Sequence, residues 1–108
     1  MSERYTVSYT TGAKEDLRSI YSYVAFKLKE RQVAKRLVER IRKEIRALNT
    51  FPERFQSVEW EPWASMGMRQ LVVGNYIIYY LVDISLKQVA VSRVVYGGRN
   101  IESMICDE

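Results

Sequence analysis

Histidine is absent from this 108-residue chain, and cysteine occurs once, as Cys106. The first absence excludes Ser-His-Asp and Cys-His catalysis and any metal site built on imidazole. The second excludes an intrachain disulfide, and one thiol among scattered carboxylates is a poor basis for zinc, so no metal or other cofactor is expected. There is no secretory h-region and no apolar run long enough to span a bilayer, so a cytoplasmic protein without a membrane partner is the expectation. Internal repeats, low-complexity tracts and linkers are missing too. One domain over 1–108, with 99–108 as a C-terminal tail, is expected.

What is present is apolar and periodic. The apolar share of 47% marks a folded chain. Seventeen basic residues against thirteen acidic ones give a net charge of +4, which favours an acidic partner, whether nucleic acid or protein. Between Lys27 and Arg54 there are ten Lys or Arg, opposed only by Glu30, Glu39, Glu44 and Glu53. Most of the excess therefore belongs to one helix and its flanks.

The segment from Arg4 to Tyr9 alternates, with Tyr5, Val7 and Tyr9 on one side, and reads as a short half-buried strand. Thr11 is a candidate helix cap, with Glu15 and Asp16 in the first turn where carboxylates favour the dipole. Ala13, Leu17, Ile20, Tyr21, Val24 and Leu28 form a helical stripe running to about Leu28. After the tight Lys29-Glu30 connection, Ala34, Leu37, Val38, Ile41, Ile45 and Leu48 form a second stripe. The opposite face of that helix carries Lys35, Arg36, Arg40, Arg42, Lys43 and Arg46, and Asn49-Thr50-Phe51-Pro52 ends it. Such a short connection makes the two helices an antiparallel hairpin. From Glu53 to Ser65 there is no clear period, and Trp60 and Trp63 read as loop anchors or, if exposed, as partner contacts.

Three strands follow: Met68–Val73, Asn75–Val82 and Val89–Tyr96, rich in β-branched and aromatic residues and separated by Gly74-Asn75 and a polar stretch from Asp83 to Gln88. The order is β-α-α-β-β-β. The expected fold is α+β, with the helical hairpin packed on one face of a mainly antiparallel four-stranded sheet. Arg69 and Arg93 are charges inside apolar strands, and each needs either a partner such as Asp16, Asp83 or the C-terminal carboxylates, or an exposed surface. Tyr76, Tyr79 and Tyr80 read as packing residues, because a phenol with a pKa near 10 is a poor general base. Tyr96-Gly97-Gly98-Arg99 closes the last strand in a turn that places a phenol and a guanidinium together.

Five segments resemble a known family. Tyr5–Tyr9 followed by Ala13-Lys14-Glu15-Asp16-Leu17 is similar to the opening strand and A-x-x-D-L helix start of the RelE/ParE toxins of bacterial type II toxin–antitoxin pairs. Leu48-Asn49-Thr50-Phe51-Pro52 resembles their L-x-x-F-P helix end. Arg69-Gln70-Leu71-Val72-Val73-Gly74-Asn75-Tyr76 resembles R-x-L-x-V-x-x-Y, and Tyr79-Tyr80 the downstream tyrosine. Arg93-Val94-Val95-Tyr96-Gly97-Gly98-Arg99 resembles the closing R-V-x-H-G-x-R, with Tyr96 at the histidine position.

The resemblance implies a growth-inhibiting toxin of a plasmid-stabilisation type, neutralised by a cognate antitoxin and bound to operator DNA only through it. Its target would be DNA gyrase for a ParE-like member, or the ribosome and mRNA for a RelE-like endoribonuclease (mRNA interferase). A degenerate antitoxin-binding protein without toxicity is the third possibility, so whether the chain is an enzyme depends on the branch. Ile77 follows Tyr76 where RelE has an arginine, and Arg69 stands alone where RelE has two lysines, which favours gyrase inhibition. Arg69, Arg93, Tyr96 and Arg99 are the residues expected to carry toxicity or catalysis. Lys35, Arg36, Arg40, Arg42, Lys43, Arg46, Trp60 and Trp63 are those expected at a partner.

Overall fold

A computed structural model of the chain describes residues 4–97. Strand β1 (Thr6–Tyr9) leads into helix α1 (Thr11–Ser22), which continues as one π-helical turn over Tyr23–Lys27. Helix α2 (Arg31–Arg46) ends in a 3-10 turn at Ala47–Asn49, and a second 3-10 turn covers Pro52–Arg54. A two-residue strand β2 (Gln56–Ser57) and a single turn of helix α3 (Trp63–Met66) precede the long strands β3 (Arg69–Val73), β4 (Tyr76–Asp83) and β5 (Gln88–Tyr96). The fold is α+β, as expected. The sheet has five strands rather than four, in the order β1-β5-β4-β3-β2, with only the β1–β5 pair parallel. The added strand, β2, pairs two residues with β3 and is too short to show any alternation in sequence.

Helix α1 starts one residue earlier than its expected cap. Thr10 is extended, and its Oγ1 accepts from the Ala13 N–H at 3.2 Å. Asp16 consequently falls beyond the first turn and does other work. Ala13, Leu17 and Val24 are buried as the stripe requires, but Tyr21 and Leu28 are exposed. For Leu28 the π turn explains the difference. Its i to i+5 hydrogen bond from Leu28 N to Tyr23 O inserts one residue into the turn and rotates later side chains off the 3.6-residue stripe. Phe26 and Leu28 are thereby turned outward, beside the exposed Tyr23.

Helix α2 buries Ala34, Ile41 and Ile45. Its exit is sharp: Phe51 adopts φ 46, a left-handed conformation that costs a non-glycine residue about 1 kcal/mol. The Arg54 guanidinium donates to Thr50 O at 2.5 Å and Phe51 O at 3.1 Å, so the carbonyls beyond the helix end are satisfied by a side chain.

The main core lies between the helices and one sheet face, where Leu17, Ile41, Ile45, Leu48, Ile78, Tyr80, Val91 and Val94 meet. Each such side chain contributes roughly 1.5–3 kcal/mol on burial. Tyr80 is carried into this core with its hydroxyl donated to Pro52 O at 2.5 Å, and burial pushes its phenol up to about 12. The other sheet face has a smaller core, in which Val58, Trp63 and Met68 cover Tyr79 and Val95. The 58–66 segment thus closes part of the face that alternation alone leaves open. Among the described residues no helix is long and apolar enough to cross a membrane.

Candidate functional site

The last strand is positioned by a strand that stops early. β1 pairs with β5 only from Gln88 to Val91, leaving the edge of β5 beyond Val91 without a neighbouring strand. Side chains of the α1 region take over that edge. Thr10 N donates to Val91 O at 3.0 Å, and Thr10 Oγ1 donates to Ser92 O at 3.1 Å. Asp16 Oδ2 accepts from Val94 N at 2.9 Å and from Arg93 Nε at 2.7 Å, while Arg93 Nη2 reaches Oδ1 at 3.2 Å. One carboxylate therefore caps a free sheet edge and pairs with a guanidinium.

A β-bulge makes this possible. Pairing runs Tyr79↔Arg93 and then Tyr80↔Val91, so Ser92 is the extra residue and the strand turns locally toward α1.

Beyond the clamp lies a groove of about 750 Å³ between α1 with its π turn and the ends of β4 and β5. Tyr23, Leu28, Tyr76 and Tyr96 line it, with Val94 and Ile20 at its base and Asp16 at one end. Tyr76 and Tyr96 face each other across the β4–β5 register at a ring separation of 5.6 Å. Burial raises the Tyr76 phenol above its ordinary value, and Tyr96 and Tyr23 add to the rise, so at neutral pH it is a donor and not a base. No Lys or Arg lines this groove among the described residues. Its chemistry suits the burial of an apolar segment with a few phenol hydrogen bonds.

The residues nominated from sequence do not converge. Arg69, at the start of β3, donates through Nη1 to Glu53 O at 3.0 Å and Phe55 O at 2.8 Å, with Glu53 Oε2 3.7 Å from Nη2. It sits opposite Tyr80, four residues along β4 from Tyr76, a displacement of about 13 Å at strand rise. Arg93 is held by Asp16, and Tyr96 is half exposed at the groove; Arg99 lies outside the described residues.

Of the α2 cations, Lys35, Arg36, Arg40, Arg42, Lys43 and Arg46 are all exposed. They do not act as one face: Arg42 lies over the Tyr9 ring at 5.7 Å, whereas Arg40 leans to the β3–β4 turn at Gly74. Trp63 is buried and Trp60 half-buried, the rings stacked at 4.9 Å and both against Tyr79, so they anchor the 58–66 segment to the sheet. Sequence does not point to the groove residues Tyr23 and Leu28: Tyr23 lies off the apolar stripe, and the outward turn of Leu28 depends on the π insertion, which leaves no periodic signal. No cluster of three metal-ligating side chains occurs among the described residues.

This architecture is shared with solved toxin–antitoxin structures. The chromosomal ParDE system of P. aeruginosa contains a chain that superposes with a TM-score of 0.71 at 20% identity, over 88% of this chain and 98% of that one. A chain of the RelBE2 toxin–antitoxin complex of Mycobacterium tuberculosis gives 0.61 at 23% identity, over 86% and 91%. The archaeal RelE–RelB complex of Pyrococcus horikoshii OT3 gives 0.61 at 18%, over 89% and 98%. Comparison with curated proteins finds no match. The family model described as the ParE toxin of the type II toxin–antitoxin system parDE matches residues 7–101. With helices α1 to α3 and all of the described sheet except Thr6 inside that match, the chain belongs to the ParE toxin family of the RelE/ParE superfamily.

Proposed function

We propose that this toxin arrests growth by protein–protein contact with DNA gyrase, without cleaving RNA, and that a cognate antitoxin neutralises it. The observation that carries this reading is the engagement of the strand arginines. Arg93 is committed to Asp16, and Arg69 to the carbonyls of Glu53 and Phe55, where ribonuclease chemistry would need cations turned to a scissile phosphate. Among the described residues no cation lines the tyrosine groove beside Arg93, and Ile77 follows Tyr76 where the RelE pattern has arginine.

On this reading Arg69 and Arg93 support toxicity by holding the sheet, whereas Tyr96 and Arg99 make target contact. The antitoxin takes the groove and the exposed cations of α2. The cytoplasm is the compartment in which gyrase is met.

Induction of the chain alone is expected to stop growth, trigger the SOS response and leave ribosome-bound mRNA intact. Purified protein is expected to inhibit gyrase supercoiling. Rapid mRNA cleavage at the ribosome with supercoiling unaffected would overturn the proposal, and normal growth with soluble protein present would show a chain that has lost toxicity.

A further inference from the structure

On the far side of the helical hairpin from the tyrosine groove, α1, α2 and the end of β1 enclose a trench of about 420 Å³. Its lining is Lys14, Leu17, Arg18 and Tyr21 from α1, Val38 and Arg42 from α2, and Tyr9 from β1. None of these residues is acidic. Lys14 and Arg18 are four residues apart on one wall, and Arg42 stands on the other. Four residues of helix advance about 6 Å. The trench thus presents three cations on two walls beside Leu17 and Val38, with the phenols of Tyr9 and Tyr21 among them. Among the described residues none of these three cations is in an ion pair, although ion pairs are made elsewhere by Arg69 and Arg93. Gathering unpaired like charges is unfavourable unless an anion completes the set.

We propose that this trench binds the phosphates of a single nucleic-acid strand. Two of the three cations are arginines, whose planar forks match phosphate oxygens in pairs. Successive phosphates along an extended strand repeat at a distance comparable to one i to i+4 step. The aromatic residues Tyr9 and Tyr21 sit where a base-bearing strand has ring surface and hydroxyl donors to meet. An extended peptide fits less well. The trench walls are helices whose main-chain groups are bonded internally, so a peptide laid there would find no backbone partners, whereas a phosphodiester strand needs none. The site does not depend on which target arrests growth; because Arg42 is also among the α2 cations assigned to the antitoxin, it belongs to the toxin free of antitoxin.

The test is fluorescence anisotropy of the full chain with a labelled twelve-nucleotide single-stranded DNA of mixed sequence, between about 50 and 200 mM salt. With three trench cations engaged, the slope of log K against log salt is expected near about −2. Arg18→Ala/Arg42→Ala should weaken binding about tenfold or more at low salt and flatten the slope by about 1.4; Lys14→Gln should flatten it by about 0.7. Arg36→Ala/Lys43→Ala removes the same charge from α2 residues that do not line the trench and is expected to stay within about twofold. Equal losses in the two double variants would mean general charge attraction and overturn the site. A polyglutamate peptide that binds more tightly than the oligonucleotide, and loses binding in Arg18→Ala/Arg42→Ala, would assign the trench to an acidic protein segment and also overturn it.

Discussion

Replacing Asp16 by alanine should be among the most damaging single changes outside the apolar core. The carboxylate accepts three hydrogen bonds, two from Arg93 and one from the Val94 N–H, at 2.7, 3.2 and 2.9 Å. Its side chain is 17% exposed and that of Arg93 29%, so solvent covers the pair only in part. A hydrogen bond to a charged group contributes roughly 1.5–3 kcal/mol net, and breaking a fully buried pair costs roughly 3–5. Discounting for partial exposure leaves about 2–3 kcal/mol for Asp16→Ala, in which the Val94 N–H and the guanidinium both lose the carboxylate. In a domain of this size that lowers Tm by roughly 10–20 °C. Asp16→Asn, which keeps an acceptor but no charge, should fall between wild type and alanine.

Urea unfolding followed by the fluorescence of the stacked Trp60 and Trp63 would give these values. Arg93→Ala and the double variant complete a cycle in which the coupling should exceed about 1 kcal/mol. A loss below about 0.5 kcal/mol for Asp16→Ala, or additive single effects, would refute the argument that this carboxylate stands in for the missing strand beside β5.

Tyr80→Phe should cost about 1–2 kcal/mol, because Pro52 O loses its donor in a buried setting, and the same urea titration measures it. Since the Tyr80 phenol is raised from 10.0 to about 12, its contribution is complete below pH 10 and is lost as pH rises toward 12; Tyr80→Phe should flatten that alkaline limb. Trp63→Ala should cost roughly 3–5 kcal/mol and half-buried Trp60→Ala distinctly less, a ranking that equal losses in thermal melts would contradict. In growth assays with matched expression, folded Tyr96→Ala and Arg99→Ala should lose toxicity while Arg40→Ala keeps most of it. Full toxicity in both of the first two would remove them from the target surface.

The strands and helices of this chain are written in near-neighbour preferences. Alternation in Arg4–Tyr9, β-branched runs around Gly74-Asn75, and apolar stripes through Leu17 and Ile41 each act over a few residues, so their elements were legible to within a residue or two. The five motif segments carried the family for the same reason. What tertiary structure alone decided is which distant groups meet. Asp16 and Arg93 are 77 positions apart, and they become partners only because β1 lies parallel to β5 and stops at Tyr9, exposing an edge that α1 must satisfy. The outward turn of Leu28 follows from one inserted residue in a helical turn, and the burial of Trp63 from a short segment folding back on the far sheet face. Both are set by packing against surfaces that do not exist until the sheet is assembled, and no local period records them.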